Sequence, residues 1–164
     1  MYAHIVVPLD GSELAESAIP ATVRLANAFD AKLTLLRVAS TPQMRVSRMI
    51  TGLPDAADLY MTLRQQALSD ARAYLDTEKT RHEAECPNVT THVAEGISIP
   101  DTLLDAIGSI GADLIVMSTH GRSGVSRWLL GSGAEQFMRA STVPVLLMRA
   151  TETPVGELLE EHLA

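Results

Sequence analysis

Five short apolar runs alternate with segments of helical period, and this alternation restricts the possible folds more than any other feature of the chain. Ile5-Val6-Val7, Leu33 to Val38, Val89 to Ala94, Leu114 to Met117 and Val143 to Met148 each have the length and aliphatic content of a buried strand. Between the first two, Ser12 to Phe29 carries Leu14, Ala18, Thr22, Leu25 and Ala26 at helical spacing. A long helix is predicted over roughly Asp58 to Ala84, with Leu59, Leu63, Ala67, Ala71 and Leu75 on one face. Ser98 to Ser109 and Gly133 to Ala140 read as shorter helices. Such alternation builds βαβ units with right-handed crossovers, hence an α/β fold with a parallel sheet covered by helices. At 164 residues the chain forms one domain.

Composition removes several function classes. Hydrophobic residues make up 46% of the chain and aromatics only 4%, which suits a sandwiched parallel sheet and not a stacking platform for single-stranded nucleic acid. A net charge of −7 also opposes phosphate-backbone binding, so any anion site must be local. The single cysteine, Cys86, rules out an internal disulfide framework, and its neighbours Glu83, Glu85 and Pro87 give it no cationic surroundings; it reads as an unreactive residue at a helix end. No apolar run approaches membrane-spanning length and no leader pattern precedes the first strand, so a soluble, cytoplasmic protein is expected.

The chemistry concentrates in Ser118 to Ser132, which follows the fourth apolar run and precedes a helix start. A glycine-bearing loop between strand and helix lets backbone N–H groups approach phosphate oxygens, with the dipole end of the helix completing an anion site. Neither common phosphate fingerprint is present. A P-loop requires lysine directly after its second glycine, where Ser132 and Gly133 follow Gly131, and the dinucleotide fingerprint requires a third glycine where Gln136 stands.

The stretch resembles the universal stress protein family, whose ATP-binding members carry Gly, two residues, Gly, nine residues, then Gly-Ser or Gly-Thr. Here Gly121 is followed by nine residues and Gly131-Ser132, while Ser118 occupies the place of the first glycine. Serine is tolerated there if φ stays below zero and is damaging if φ must be positive. Ile5 to Ser12 and Val143 to Arg149 also look like that family's first and last strands. The resemblance implies a nucleotide-binding domain over residues 1–150 and a single doubly wound, Rossmann-like five-stranded sheet of order 3-2-1-4-5. That order puts the topological switch between strands one and four, where open α/β sheets bind ligands. The carboxyl ends there carry Pro8-Leu9-Asp10 and Met117-Ser118.

By the same resemblance, Asp10 and Val38 form the adenosine end of an ATP pocket, with Pro8 and Met117 lining it. The amides of Gly131, Ser132, Gly133 and Ala134, the Ser132 hydroxyl, and the local charge of His120 and Arg122 beside Gly121 are the phosphate-side candidates. Ser132 and Glu135 equally have capping-box spacing, and Asp10 with Glu13 three residues later reads as an N-cap as well. No catalytic set emerges: no base stands in the loop and no lysine is placed to neutralise a leaving phosphate. Mg²⁺ would arrive with the nucleotide, and turnover would be very slow at most. The expectation is an ATP-binding dimeric regulator of an unidentified protein partner. The alternatives are a dimeric interaction module with a vestigial phosphate loop and, behind it, a slow adenine-nucleotide hydrolase.

Two segments stand apart from this frame. Thr41 to Asp58, with Met44, Arg45, Arg48, Met49 and Ile50, reads either as a lid or as an insertion without ligand contact. The tail 151–164 carries Leu158, Leu159 and Leu163 among glutamates and reads as a short amphipathic helix. Val143 to Met148 is apolar on both faces, and Pro144 puts it at a sheet edge or puts Pro144 at its start. The family's way of covering such an edge is pairing of two last strands in a homodimer.

Overall fold

The computed structural model describes residues 1–40, 56–119 and 137–149. Strands β1 (His4–Pro8), β2 (Lys32–Ser40), β3 (Val89–Gly96), β4 (Leu114–Thr119) and β5 (Val145–Arg149) form one sheet of order β3-β2-β1-β4-β5, every pairing parallel. Among the described residues the strands are joined by helices α1 (Glu13–Glu16), α2 (Ile19–Phe29), α3 (Ala56–His82) and α4 (Ile99–Ile110). Residues 137–140 are helical and belong to the predicted helix before β5. The doubly wound order is thus the one that the resemblance implies.

Strand alternation divides the core in two. Ile5, Val7, Leu33, Leu35 and Val116 pack with Val23 of α2 and Leu75 of α3 on one face. Val6, Leu36, Ile115 and Met117 pack with Leu103 and Ile107 of α4 and with Phe137 on the other. Both faces of the central strands are covered, which is why they read as nearly continuous apolar runs. Each fully buried aliphatic side chain contributes about 1.5–3 kcal/mol.

Three sequence expectations need correction. The predicted helix over 12–29 is two helices with a turn at Ser17 and Ala18. Pro20 lies in the first turn of α2 and has no N–H to continue the ladder from α1, so the break is placed where proline is tolerated. In α3 the expected apolar stripe is buried only at Ala71 and Leu75, while Leu59 and Leu63 are 47% and 44% exposed. The spacing was correct, but the first turns of α3 leave their apolar side chains exposed. β5 begins at Val145: Val143 and Pro144 precede it, and the Pro144 carbonyl accepts from Ile115 N at 2.9 Å. The expectations for Thr41 to Asp55, for the loop from His120 to Gln136 and for the tail 151–164 lie outside the described residues.

Candidate functional site

β1, β2 and β4 end together at the switch point, and a cleft of about 190 Å³ opens there. Pro8, Leu9 and Asp10 follow β1 into it, Val38 comes from β2, and Met117 and Ser118 come from β4. The six described candidates from the sequence are therefore brought together in one place. His120, Gly121, Arg122, Gly131, Ser132, Gly133 and Ala134 lie outside the described residues.

Asp10 shapes the turn that enters α1. Its Oδ1 accepts from Ser12 N at 2.9 Å and from Ser12 Oγ at 2.6 Å. Ser12 in turn is the N-cap of α1, its Oγ accepting from Ala15 N at 3.2 Å. The expectation that Asp10 caps the helix is thus corrected: the cap is two residues on, and Asp10 holds the capping serine. Among the described residues no hydrogen bond engages Asp10 Oδ2. Gly11 makes the turn possible, since its φ of 86° is a conformation side-chain-bearing residues rarely adopt.

Ser118 lies in strand conformation at the end of β4 and is 6% exposed. The only side-chain-bearing residue with positive φ among the described residues is Asp30, so serine in place of the family glycine strains nothing. Ser17 Oγ donates to the Leu14 carbonyl at 2.7 Å, which uses its one proton. Ser118 Oγ, 2.8 Å from Ser17 Oγ, is therefore the donor in that pair. The hydroxyl that replaces a glycine ties β4 to α1.

Sequence reasoning missed Ser12, Leu14 and Ala15 of the α1 wall, Ile99 and Leu103 of α4, and Arg37 of β2, all of which line the cleft. Packing rather than motif brings the aliphatic ones there. Arg37 had a visible signal, being the one charged residue between Leu33 and Ser40 in an otherwise apolar or hydroxylic strand.

Among the described residues, Asp10 and Arg37 are the titratable groups that line the cleft. Cys86 is buried, and burial pushes its thiol pKa up, which makes it a poor nucleophile. Among the described residues no group of three or more His, Cys, Asp or Glu is placed to hold a metal ion, and no helix is long and apolar enough to cross a membrane.

A family profile described as the universal stress protein family matches residues 1–149. The chain belongs to the universal stress protein family. A relative, universal stress protein MJ0531 of Methanocaldococcus jannaschii, is 30% identical over 149 residues, spanning 91% of this chain and 83% of that protein. Among solved structures, the universal stress protein UspA of Lactobacillus plantarum superposes with a TM-score of 0.71 at 23% identity, over 90% of this chain and 98% of that one, and so shows the shared fold. A universal stress protein solved in complex with cAMP superposes with a TM-score of 0.63 at 26% identity, over 92% of this chain and 99% of that one. An adenine nucleotide is thus a known ligand of a structural neighbour.

Proposed function

We propose that this universal stress protein binds an adenine nucleotide, ATP with Mg²⁺ carried by the nucleotide, in the cleft between β1 and β4, and acts in the cytoplasm as a dimeric regulator rather than as an enzyme. The observation that carries the reading is convergence. Six residues chosen from the sequence line one cleft at the switch point, and Ser118 there is three residues before Gly121, which opens the Gly121 to Ser132 motif.

The walls fit a nucleoside: Leu9, Val38, Leu103 and Met117 supply apolar surface, and Asp10 keeps a carboxylate oxygen for a hydroxyl. The Gly121 and Gly131-Ser132 spacing supports phosphate binding by backbone amides. Absence of strain at Ser118 removes the main objection to an intact nucleotide site. Dimerisation is supported by β5, an edge strand whose Leu146 and Leu147 are 39% and 43% exposed. Such an edge invites pairing with a second copy.

Titration calorimetry of the purified full-length protein with ATP tests the reading, with Gly131→Val as control. Binding by the wild type and its loss in a folded Gly131→Val variant are expected. No heat at millimolar ATP or ADP would overturn the reading in favour of an interaction module without nucleotide. Light scattering should find a dimer at micromolar concentration, and Val145→Lys should give monomer or aggregate. Phosphate release on the order of 1 per second, an ordinary enzyme rate, would refute the regulatory reading.

A further inference from the structure

Arg37 is the one basic residue among the described residues that line the cleft, and the proposed nucleotide site leaves it without a role. The residues of β2 that face α2 and α3 run Leu33, Leu35, Arg37, the first two fully buried, so this stripe ends in a guanidinium at the rim of the cleft. Two contacts fix that group. Its central carbon lies 4.3 Å from the centroid of the Tyr74 ring, and the Tyr74 hydroxyl donates to Glu16 Oε1 at 2.8 Å. Gly11 approaches it as well, since a Cβ at Gly11 would stand 3.1 Å from a terminal guanidinium nitrogen. Neither contact gives its N–H groups an acceptor. Among the described residues no carboxylate lies in ion-pairing range of Arg37 and no oxygen accepts from it.

A positioned arginine with unused donors selects what is placed against it, because its five N–H groups form a rigid fork suited to two neighbouring acceptors. Charge decides which acceptors. Asp10 lines the same cleft, so a phosphate dianion beside Arg37 would also face a carboxylate. A neutral edge with two acceptor atoms matches the fork without that repulsion. The O6 and N7 atoms of a 6-oxopurine provide such an edge, whereas adenine pairs its N7 with an amino donor that opposes N–H groups.

We infer that Arg37 reads the base, and that it lets this cleft hold 6-oxopurine nucleotides, those of guanine and hypoxanthine, at least as well as adenine nucleotides. The inference rests on the reading that the nucleoside end of the ligand occupies the described cleft. Inosine triphosphate is the decisive probe, because it has an acceptor oxygen where ATP has an amino group and an N1–H where ATP has a second acceptor. Calorimetry on the full-length protein should show it binding the wild type at least as tightly as ATP. Arg37→Met, which keeps the apolar stem, should weaken inosine triphosphate about tenfold or more and ATP less than about threefold. Arg37→Lys, which keeps the charge and loses the fork, should fall between them, and it carries the test alone if thermal melts show Arg37→Met unfolded. Wild-type preference for ATP by about tenfold would overturn the inference. Equal weakening of both nucleotides would do the same and would place the guanidinium on phosphate. If the wild type binds ATP and rejects inosine triphosphate, base reading fails while the nucleotide site stands; if it binds neither, both fall.

Discussion

The two ends of the sheet treat polar groups in opposite ways. At the amino end of the strands, Asp113 accepts from Ala3 N at 2.8 Å and from His4 N at 3.0 Å, and donates its own N–H to the His4 carbonyl at 2.9 Å. Beside it, His4 Nε2 meets Thr34 Oγ1 at 2.7 Å, Thr34 meets Thr90 at 2.9 Å, and Thr90 donates to the Leu33 carbonyl at 3.2 Å. At the carboxyl end, Asp10 keeps one oxygen and Arg37 keeps its donors outside any bond the described chain makes. The difference is instructive, since buried polarity satisfied within the chain holds strands in register, whereas polarity left open in a cleft is available to a ligand.

The largest way to break this contrast is Asp113→Ala. It leaves two backbone N–H groups without their charged acceptor, one exposed and one part-buried, and should cost about 2 kcal/mol of stability at neutral pH, read from urea unfolding. Nucleotide affinity of the folded protein should not change, because the cleft is at the other end. The sign with pH follows from the carboxyl group. Burial raises its pKa, but hydrogen bonds from Ala3 and His4 outweigh this and hold it below the usual value. Its contribution is therefore present above the ordinary carboxylate pKa and is lost as pH falls through the depressed one. An Asp113→Ala penalty as large in acid as at neutrality would refute this account.

The same contrast explains what was legible beforehand. Strands were readable because burial on both faces writes itself as an apolar run, and their ends were misjudged by a residue or two where Ser118, Thr119 and Arg149 continue the ladder with polar side chains. The long helix was found, yet its apolar spacing could not say that Leu59 and Leu63 stay exposed. The Ser12 cap was assigned to Asp10, because spacing alone cannot tell a cap from the residue that braces it. In the cleft, residues at strand ends were legible through topology. Leu14, Ile99 and Leu103 arrive from helices through packing, which no local pattern records.

Ser118 is the exception at the open end, being polar, buried and satisfied within the chain, and Ser118→Gly sharpens the comparison. The variant restores the family residue, loses the hydrogen bond to Ser17 and gains chain entropy in the unfolded state. Together these should lower stability by about 1.5 kcal/mol. ATP affinity should stay within about twofold of the wild type, since the backbone at 118 has no positive φ to relieve. A large gain in affinity with unchanged stability would show instead that the serine side chain obstructs the ligand.

The smallest effect belongs to His4, and it tests whether the closed end is a neutral network. Burial is the main influence lowering its pKa, aided by the charge of Lys32; the carbonyls of Ile110 and Gly111 and the carboxylate of Asp113 pull the other way without prevailing. The folded state thus disfavours the charged ring, and the unfolded chain binds the extra proton more readily. Stability from this source is complete above the ordinary histidine pKa of about 6.5 and declines as pH falls below it toward the lowered folded value. Asp113 begins to lose its contribution only as pH falls below the ordinary carboxylate pKa, about 3.9, so the two declines begin at different pH. Urea unfolding of the wild type should therefore show stability decreasing as pH falls below about 6.5, and His4→Gln, which keeps a side chain able to bond Thr34, should flatten that slope. Identical slopes in the two proteins would mean that the ring protonates in place without penalty. The closed end would then tolerate charge as the open cleft does, and the distinction between them would rest on Asp113 alone.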